Sequence, residues 1–479
     1  MPPVTSPGSR DARIRFRRAV TLMVMTLLLP GSAQLVAGNR RVGRIALRTW
    51  AALWGAALFT ALLVWLWPGL AFWAASSTGI LGVIRLLLIV LALGWAYLFI
   101  DAWRLGEPLE LRRQHRLVIV GINGALCFSM AGALLFGAHL VNTQRDFVLT
   151  MFGDTIVRDA FDGRYNVLLL GGDAGDDRWG LRPDSLTVAS IDEETGQTVL
   201  FGLPRNLQDF PFPEGSVMHE QFPDGYDCDD CYLNSLATWA RDHEQLFDEY
   251  DDPGIEATIE AVEGITGLRI NYFAMVNLAG FSRMVDAVGG VELNVRDRIP
   301  IGGIGAPVTG YIEPGQRKLN GFETLWFARS RVEADDYSRM ARQKCVMNAM
   351  LAQLSPTKVL RKFEAITKAS SDLITTDLPA SELDTFAQLA LKAKDRPMRT
   401  VSFVPPTINT SDPDIDAIHD RVRKALERSR GEKPAKQSGT APQKQAPAQP
   451  PTAVTTGGAV GSLAEGYAAN DTDDLDAVC

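Results

Sequence analysis

The sequence predicts an α-helical membrane module, then one α/β domain with helices on both faces of a mixed sheet, then a tail that does not fold. Three observations carry this reading. Four apolar runs stand before residue 142, strand and helix patterns alternate from Arg164 onward, and after Arg428 the composition turns to Pro, Ala, Gln, Thr and Gly. The boundaries that follow are a basic cytoplasmic N-terminus (1–19), a membrane module (20–141), a linker (142–160), an extracytoplasmic domain (161–428) and a disordered tail (429–479).

The apolar runs cover 20–38, 49–72, 80–103 and 117–141. A bilayer-spanning helix needs about 20 apolar residues, and the last three runs qualify. The first is shorter and is interrupted by Pro30-Gly31. It is no cleaved signal peptide, because further spans follow it. Charge sets the orientation. Arg10, Arg13, Arg15, Arg17 and Arg18 precede the first run, Arg40, Arg41, Arg44 and Arg48 follow it, and Arg104, Arg112, Arg113 and Arg116 precede the last. Four spans would place Arg-rich loops outside and return the domain to the cytoplasm, against the positive-inside rule. A first run that enters and leaves on one side, followed by three spans, keeps every Arg cluster inside and delivers residue 142 to the exterior.

The charge is divided. Residues 1–140 hold 14 Arg, no Lys and four acidic residues, a balance of +10; the chain as a whole is −8, so the remainder carries −18. An acidic soluble part argues against nucleic acid as partner, since phosphate-backbone binding wants a basic face.

In the domain, strands are expected at 166–170, 186–191, 198–203, 272–276, 291–295 and 400–404. Helical periodicity marks 232–247, 255–265, 281–287 and 336–354, with shorter helices to Lys394. The order suggests a single α/β layer structure. The tail is too poor in apolar residues to fold.

There are five cysteines. Cys127 and Cys345 read as buried thiols. Cys228 and Cys231 form C-D-D-C in a polar loop; no second ligand pair stands near for zinc, and no thioredoxin-like βαβ unit surrounds them. Outside the membrane, a small structural disulfide is expected.

Polar residues interrupt the chain where apolar runs start or stop: Gly172-Asp173, Arg182-Pro183-Asp184 and Pro204-Arg205-Asn206. Ligands of open α/β sheets bind at strand ends, which brings these segments toward one cleft. Far along the chain come Arg329-Ser330-Arg331, then Asp335-Asp336, then Arg339 and Arg342-Gln343. On a helix, Arg339, Arg342 and Gln343 share a face. Arginine suits bidentate phosphate recognition, and carboxylates tolerate phosphate nearby when a divalent cation bridges them. Arginines with paired aspartates therefore suggest Mg²⁺ and pyrophosphate; surface ion pairing is the plainer use of any one pair. Neither a Walker motif nor a dinucleotide fingerprint is present.

At these residues the chain resembles the LytR-CpsA-Psr (LCP) family of cell-envelope phosphotransferases, over about residues 160–410. The likeness runs through NVLLLGGD, RPDSLTVASID, GLPRN, Asn234, MVDAVGGVELNV and FARSRVEADDYSRMARQ in the family's order. It implies an LCP-type α/β/α sandwich outside a bacterial membrane, acting as an Mg²⁺-dependent transferase. The glycopolymer would pass from a polyprenyl-pyrophosphate carrier to a peptidoglycan acceptor. Asp173 and Asp184 match the carboxylates near the metal, and Arg182, Arg205, Arg329, Arg331, Arg339 and Arg342 the phosphate-contacting or site-organising arginines. Arg205, Arg331, Asp336 and Arg339 match catalytic positions, Asp336 as base or orienter, with Gln343 supporting the same face. Asn206 departs from the family's common Asp. Apolar residues within 232–265 and 346–354 would line a lipid slot or form plain core. A pyrophosphatase using water, or a non-catalytic envelope regulator, are the alternatives.

Overall fold

The computed structural model describes residues 7–66, 77–110, 113–151, 156–172, 182–303, 307–332, 336–353, 374–394 and 398–431, with positions 74 and 396. Residues beyond 431, where the tail is expected, lie outside it. The chain divides into two compact units, Met1–Leu149 and Thr150–Cys479.

In the first unit, helix Pro7–Leu28 takes up the basic segment and most of the first apolar run. Pro30 lacks the N–H a continuing helix needs, and Gly31 adopts φ +91°, a left-handed turn natural to glycine. Helix Ser32–Ala37 then doubles back. Leu22, Ala33 and Ala102 share one cluster, and Gln34 Nε2 donates to Leu98 O at 3.1 Å. Gly38 lies against Leu105, and Gly106 against Ala19. Both limbs of this hairpin thus reach the same end of helix Thr78–Leu105, where Arg15 pairs with Glu110. Three described helices are long and apolar enough to cross a membrane: Arg40–Leu63, Thr78–Leu105 and Arg113–Asp146. The last belongs to a helix that runs on to Met151, into the segment read as linker.

The second unit is built on a six-stranded mixed sheet of β1 (Arg164–Gly172), β2 (Pro183–Asp192), β3 (Thr198–Leu203), β4 (Tyr272–Asn277), β9 (Ile374–Thr376) and β10 (Arg399–Ser402). Their order across the sheet is β10-β3-β2-β1-β4-β9. β1 pairs antiparallel with β2 and parallel with β4; β3 pairs antiparallel with β2 and parallel with β10. Successive side chains of a strand point to opposite faces, and both faces are covered. Leu168, Leu170, Val188 and Phe201 pack with Leu236, Ala261 and Ile418 of helices Leu236–Asp242, Pro253–Thr266 and Ile415–Ser429. On the other face Leu169, Ala189 and Leu200 meet Met347 and Leu351 of helix Asp336–Gln353, and Tyr165 meets Phe386 of helix Leu383–Lys394 at 5.2 Å. Burying each large apolar side chain is worth roughly 1.5–3 kcal/mol.

A second, smaller core gathers Val285, Val291, Val295, Ile299, Phe327 and Val346. It lies under two two-stranded antiparallel sheets, β5 (Val291–Val295) with β8 (Gly315–Leu319), and the hairpin of β6 (Ile299–Gly302) with β7 (Val308–Ile312). This core seats helix Gly321–Arg329, whose start is fixed by an Asn320/Glu323 capping box. β5 stands where a strand was expected, whereas β6, β7, β8 and β9 carry too little alternation to have been expected.

Cys228 and Cys231 are joined in a disulfide. Cys345 corrects the expectation of a buried thiol: it too is disulfide-bonded. Burial alone does not decide a cysteine's state, because in an oxidising compartment a buried thiol with a second thiol in reach can be bonded to it. Leu233, Leu236, Ala240, Ala261 and Ile265, weighed as lipid-slot lining, belong to the main core.

Candidate active site

Strand register assembles the site. Gly172 at the end of β1 pairs with Pro183 at the start of β2 and with Asn277 at the end of β4. Leu203, the last residue of β3, pairs with Leu186. Pro204 then ends the strand, having no N–H to give the ladder, and Arg205 follows directly. The Arg205 Nη1 donates to Asp184 Oδ1 at 2.5 Å, and its Nε stands 3.4 Å from Asp336 Oδ1.

Asp336 opens helix Asp336–Gln353. One turn on, Arg339 Nη2 donates both to Asp336 Oδ2 at 3.0 Å and to the Asp184 carbonyl at 2.7 Å. Arg331 Nη1 lies 4.0 Å from Asp336 Oδ1. Three arginines from three segments thus surround two aspartates. Arg339 is buried to 4% exposure. Burial pushes its guanidinium below the usual arginine value, while Asp336 and Asp184 push back. Asp336 Oδ1 and Arg339 Nε are buried, yet neither makes a hydrogen bond. An acceptor and a donor left open side by side in a charged cluster are what a bound polar group would satisfy.

Arg182 stands exposed just before β2, and Asn206 is exposed after Arg205. Arg329, the last residue of its helix, lays its guanidinium 5.4 Å from the Trp326 ring centroid. Gln343 bridges two elements: its Oε1 accepts from Ser185 Oγ at 3.0 Å and its Nε2 donates to Ala328 O at 3.3 Å.

Arg342 has a different post from the one expected. It is fully buried, and its guanidinium donates to the carbonyls of Phe327, Ser330 and Ser338. The physical reason is the end of helix Gly321–Arg329. The last carbonyls of a helix lack intrahelical donors and form its negative pole, so they draw a cation. Arg342 therefore braces the loop that presents Arg329 and Arg331.

Asp173 lies outside the described residues. Among those described, no group of three or more ligating side chains forms a ready cation site. Asp184 still fits as one oxygen ligand: only its Oδ1 is engaged by Arg205, and its side chain is 34% exposed. Mg²⁺ is commonly held by one or two carboxylates, with phosphate oxygens and water completing the shell. Asp336 fits poorly, because Arg205, Arg331 and Arg339 crowd both its oxygens.

Two features escaped the sequence. Lys344 is wholly buried, donates to Ser402 Oγ, and is pushed down to about 7 by burial. Its room comes from Gly202, where an added Cβ would stand 3.3 Å from Lys344 Cε. A glycine inside the buried strand TVLFGL was the available signal. The second is an open groove of about 1000 Å³ beside Arg164, Arg269 and His419. It sits at the opposite end of β1, a nine-residue strand and so about 30 Å from the arginine cluster.

Comparisons with known proteins bear on the same region. Biofilm regulatory protein A of Streptococcus mutans is 26% identical, over 45% of this chain and 50% of that protein. The polyisoprenyl-teichoic acid–peptidoglycan teichoic acid transferase TagU of Enterococcus faecalis is 27% identical, over 47% of this chain and 64% of its own. The cell wall biosynthesis protein LcpA of Corynebacterium glutamicum is 27% identical, over 44% and 45%. The chain spans about half the length of the curated relatives it matches. Among solved structures, TagV of Bacillus subtilis aligns with a TM-score of 0.41 at 21% identity, covering 57% of this chain and all of that one. The family's sequence profile matches residues 152–418, more than half of the chain. The chain belongs to the LytR_cpsA_psr family.

Proposed function

We propose that this chain is a membrane-anchored transferase that moves a phosphoglycan from a polyprenyl-pyrophosphate carrier to peptidoglycan. The observation that carries the reading is the cluster of Arg205, Arg331 and Arg339 around Asp184 and Asp336 at the ends of the central strands. Three guanidinium groups against two carboxylates leave formal positive charge, which a pyrophosphate would balance. The names of relatives such as TagU point the same way.

In this reaction the acceptor hydroxyl oxygen attacks the glycan-bearing phosphorus and forms a phosphodiester. The bridging P–O bond breaks, and polyprenyl monophosphate leaves. Arg205, Arg331 and Arg339 hold the phosphoryl oxygens as charge builds on them. Asp336, whose buried Oδ1 has no hydrogen bond, orients the hydroxyl or takes its proton. Arg182 and Arg329 extend the positive field toward the rest of the donor. Mg²⁺ bound through Asp184 and Asp173 would neutralise phosphate charge. The hairpin of residues 7–38 supports a topology with every Arg cluster in the cytoplasm and the α/β unit outside.

The test uses the full chain in detergent, a labelled polyprenyl-pyrophosphoglycan and peptidoglycan sacculi. Label covalently attached to sacculi is the expected result. Release of free phosphoglycan without attachment would replace the transferase by a pyrophosphatase, and no turnover would leave a non-catalytic regulator.

A further inference from the structure

We infer that the outward face of helix Gly321–Arg329 is a saccharide-binding strip, seating pyranose rings of the glycan beside the phosphate cleft. The inference rests on the reading of that cleft as the donor-phosphate site. Phe322 is 53% exposed, the most exposed aromatic side chain described in the α/β unit. Trp326, one turn further on, meets it edge-on with ring centroids 6.4 Å apart. Arg329 closes the row, its guanidinium 5.4 Å from the Trp326 ring centroid. Residues at i, i+4 and i+7 lie on one helix face. A single exposed apolar residue asks for no explanation, but two aromatics and a cation aligned on one face do.

The strip is continuous with the cleft. The helix's last turn is bolted to the site helix, since Arg342 holds the Phe327 and Ser330 carbonyls and Gln343 holds Ala328 O. Arg331, two residues past Arg329, already faces Asp336. The other end is equally fixed. Gly321 N donates to Asp286 Oδ1 at 2.7 Å, and an added Cβ at Gly321 would fall 1.9 Å from Ser282 O. The aromatics therefore stand on a rigid element, and rigid aromatic contacts lose little entropy on binding.

The row from Phe322 to Arg329 is about 10 Å long at 1.5 Å per residue, the reach of a disaccharide. A pyranose has an apolar C–H face, which the electron-rich face of an aromatic ring attracts, and a rim of hydroxyls for Arg329. A bilayer surface fits less well. Interfacial helices present a broad apolar face flanked by basic residues, whereas this strip is one side chain wide and begins at exposed Asn320 beside Glu323.

The test compares two probes on the full chain in detergent micelles: farnesyl pyrophosphate, and the same lipid pyrophosphate carrying a disaccharide. The parental chain should bind the disaccharide probe more tightly. Phe322→Ala should weaken that probe about two- to tenfold, the range of one aromatic contact, and leave farnesyl pyrophosphate unchanged. Trp326→Phe, which keeps an aromatic ring in the second core, should retain most of the affinity, and Trp326→Ala should lose it. Equal weakening of both probes would assign the aromatics to the lipid or the bilayer and overturn the inference. A parental chain that binds farnesyl pyrophosphate but gains nothing from the sugar would also overturn it, while leaving the phosphate reading intact. Failure to bind either probe would bring down the donor reading itself.

Discussion

Arg342→Lys separates a braced loop from a phosphate grip. Arg342 serves the carbonyls of Phe327, Ser330 and Ser338 from three guanidinium nitrogens. Lysine keeps the charge but has one nitrogen, which cannot span the fork. At least one buried carbonyl is then left without its donor, a loss of about 2 kcal/mol. For a domain of this size that lowers Tm by roughly 4–8 °C. Arg205→Lys should behave in the opposite way. Its side chain is 23% exposed and bonded to Asp184 and to Asp336, the second of which Arg331 and Arg339 also serve. Tm should move by less than about 2 °C, whereas transfer should fall at least tenfold, as a preorganised charge contact is lost. Thermal unfolding and transfer rate, measured on both variants in detergent, give a two-by-two outcome. An Arg342→Lys chain that melts like the parent yet fails to transfer would refute the brace and place that guanidinium on the donor.

Further expectations concern charge and topology. Glu256 is raised from 4.5 to about 7, first by burial and then by Glu260. Its favourable contribution is therefore complete below pH 4.5 and lost as pH rises through 7. Glu256→Gln should raise stability at pH 8, by at most about 3 kcal/mol, and change little at pH 4; an equal effect at both pH values would rule out the ionisation. Asp184→Asn should raise the Mg²⁺ concentration for half-maximal transfer by about tenfold, and an unchanged midpoint with a lower rate would remove Asp184 from the metal. A reporter after Thr143 should be external and one between Gly38 and Trp50 cytoplasmic; an external signal from the second would sink the hairpin topology.

The central sheet was legible because its strands are short apolar runs bounded by Gly, Asp and Pro, as in NVLLLGG and TVLFGL. Both faces of these strands are buried, so continuous hydrophobicity marked them better than alternation. β6 to β9 were not legible for the converse reason. β8 reads GQRKL and is exposed over four of its five residues, and β9 has three residues, none buried. Such strands are made by pairing with a neighbour, which a local pattern does not register. For the first apolar run, length alone is ambiguous, and the Arg clusters on both sides are what favour a return to one side of the membrane. In the structure, Ala19, Gln34 and Gly38 contact residues 98–106.

At the site, residue types and order carried the reading, and spacing misled it once. Arg339 and Arg342, three residues apart, stand some 60° apart around a helix axis. On a solvent-facing helix that is one face. On a helix wedged between the sheet and a second core, it is enough for the two guanidinium groups to meet different neighbours. Arg339 finds the Asp336 carboxylate and the Asp184 main-chain carbonyl, and Arg342 the carbonyl end of helix Gly321–Arg329. The partners of Arg342 are backbone, so no residue type in the sequence advertises them. With Arg342 spent on carbonyls, the charge count at the cleft still favours an anion. Among the described residues, Arg205, Arg331 and Arg339 pair with Asp184 and Asp336, and the buried Nε of Arg339 makes no hydrogen bond. Surplus guanidinium in a half-buried cluster, with a buried donor that lacks an acceptor, favours an anion there, and a doubly charged phosphate group supplies both charge and acceptor.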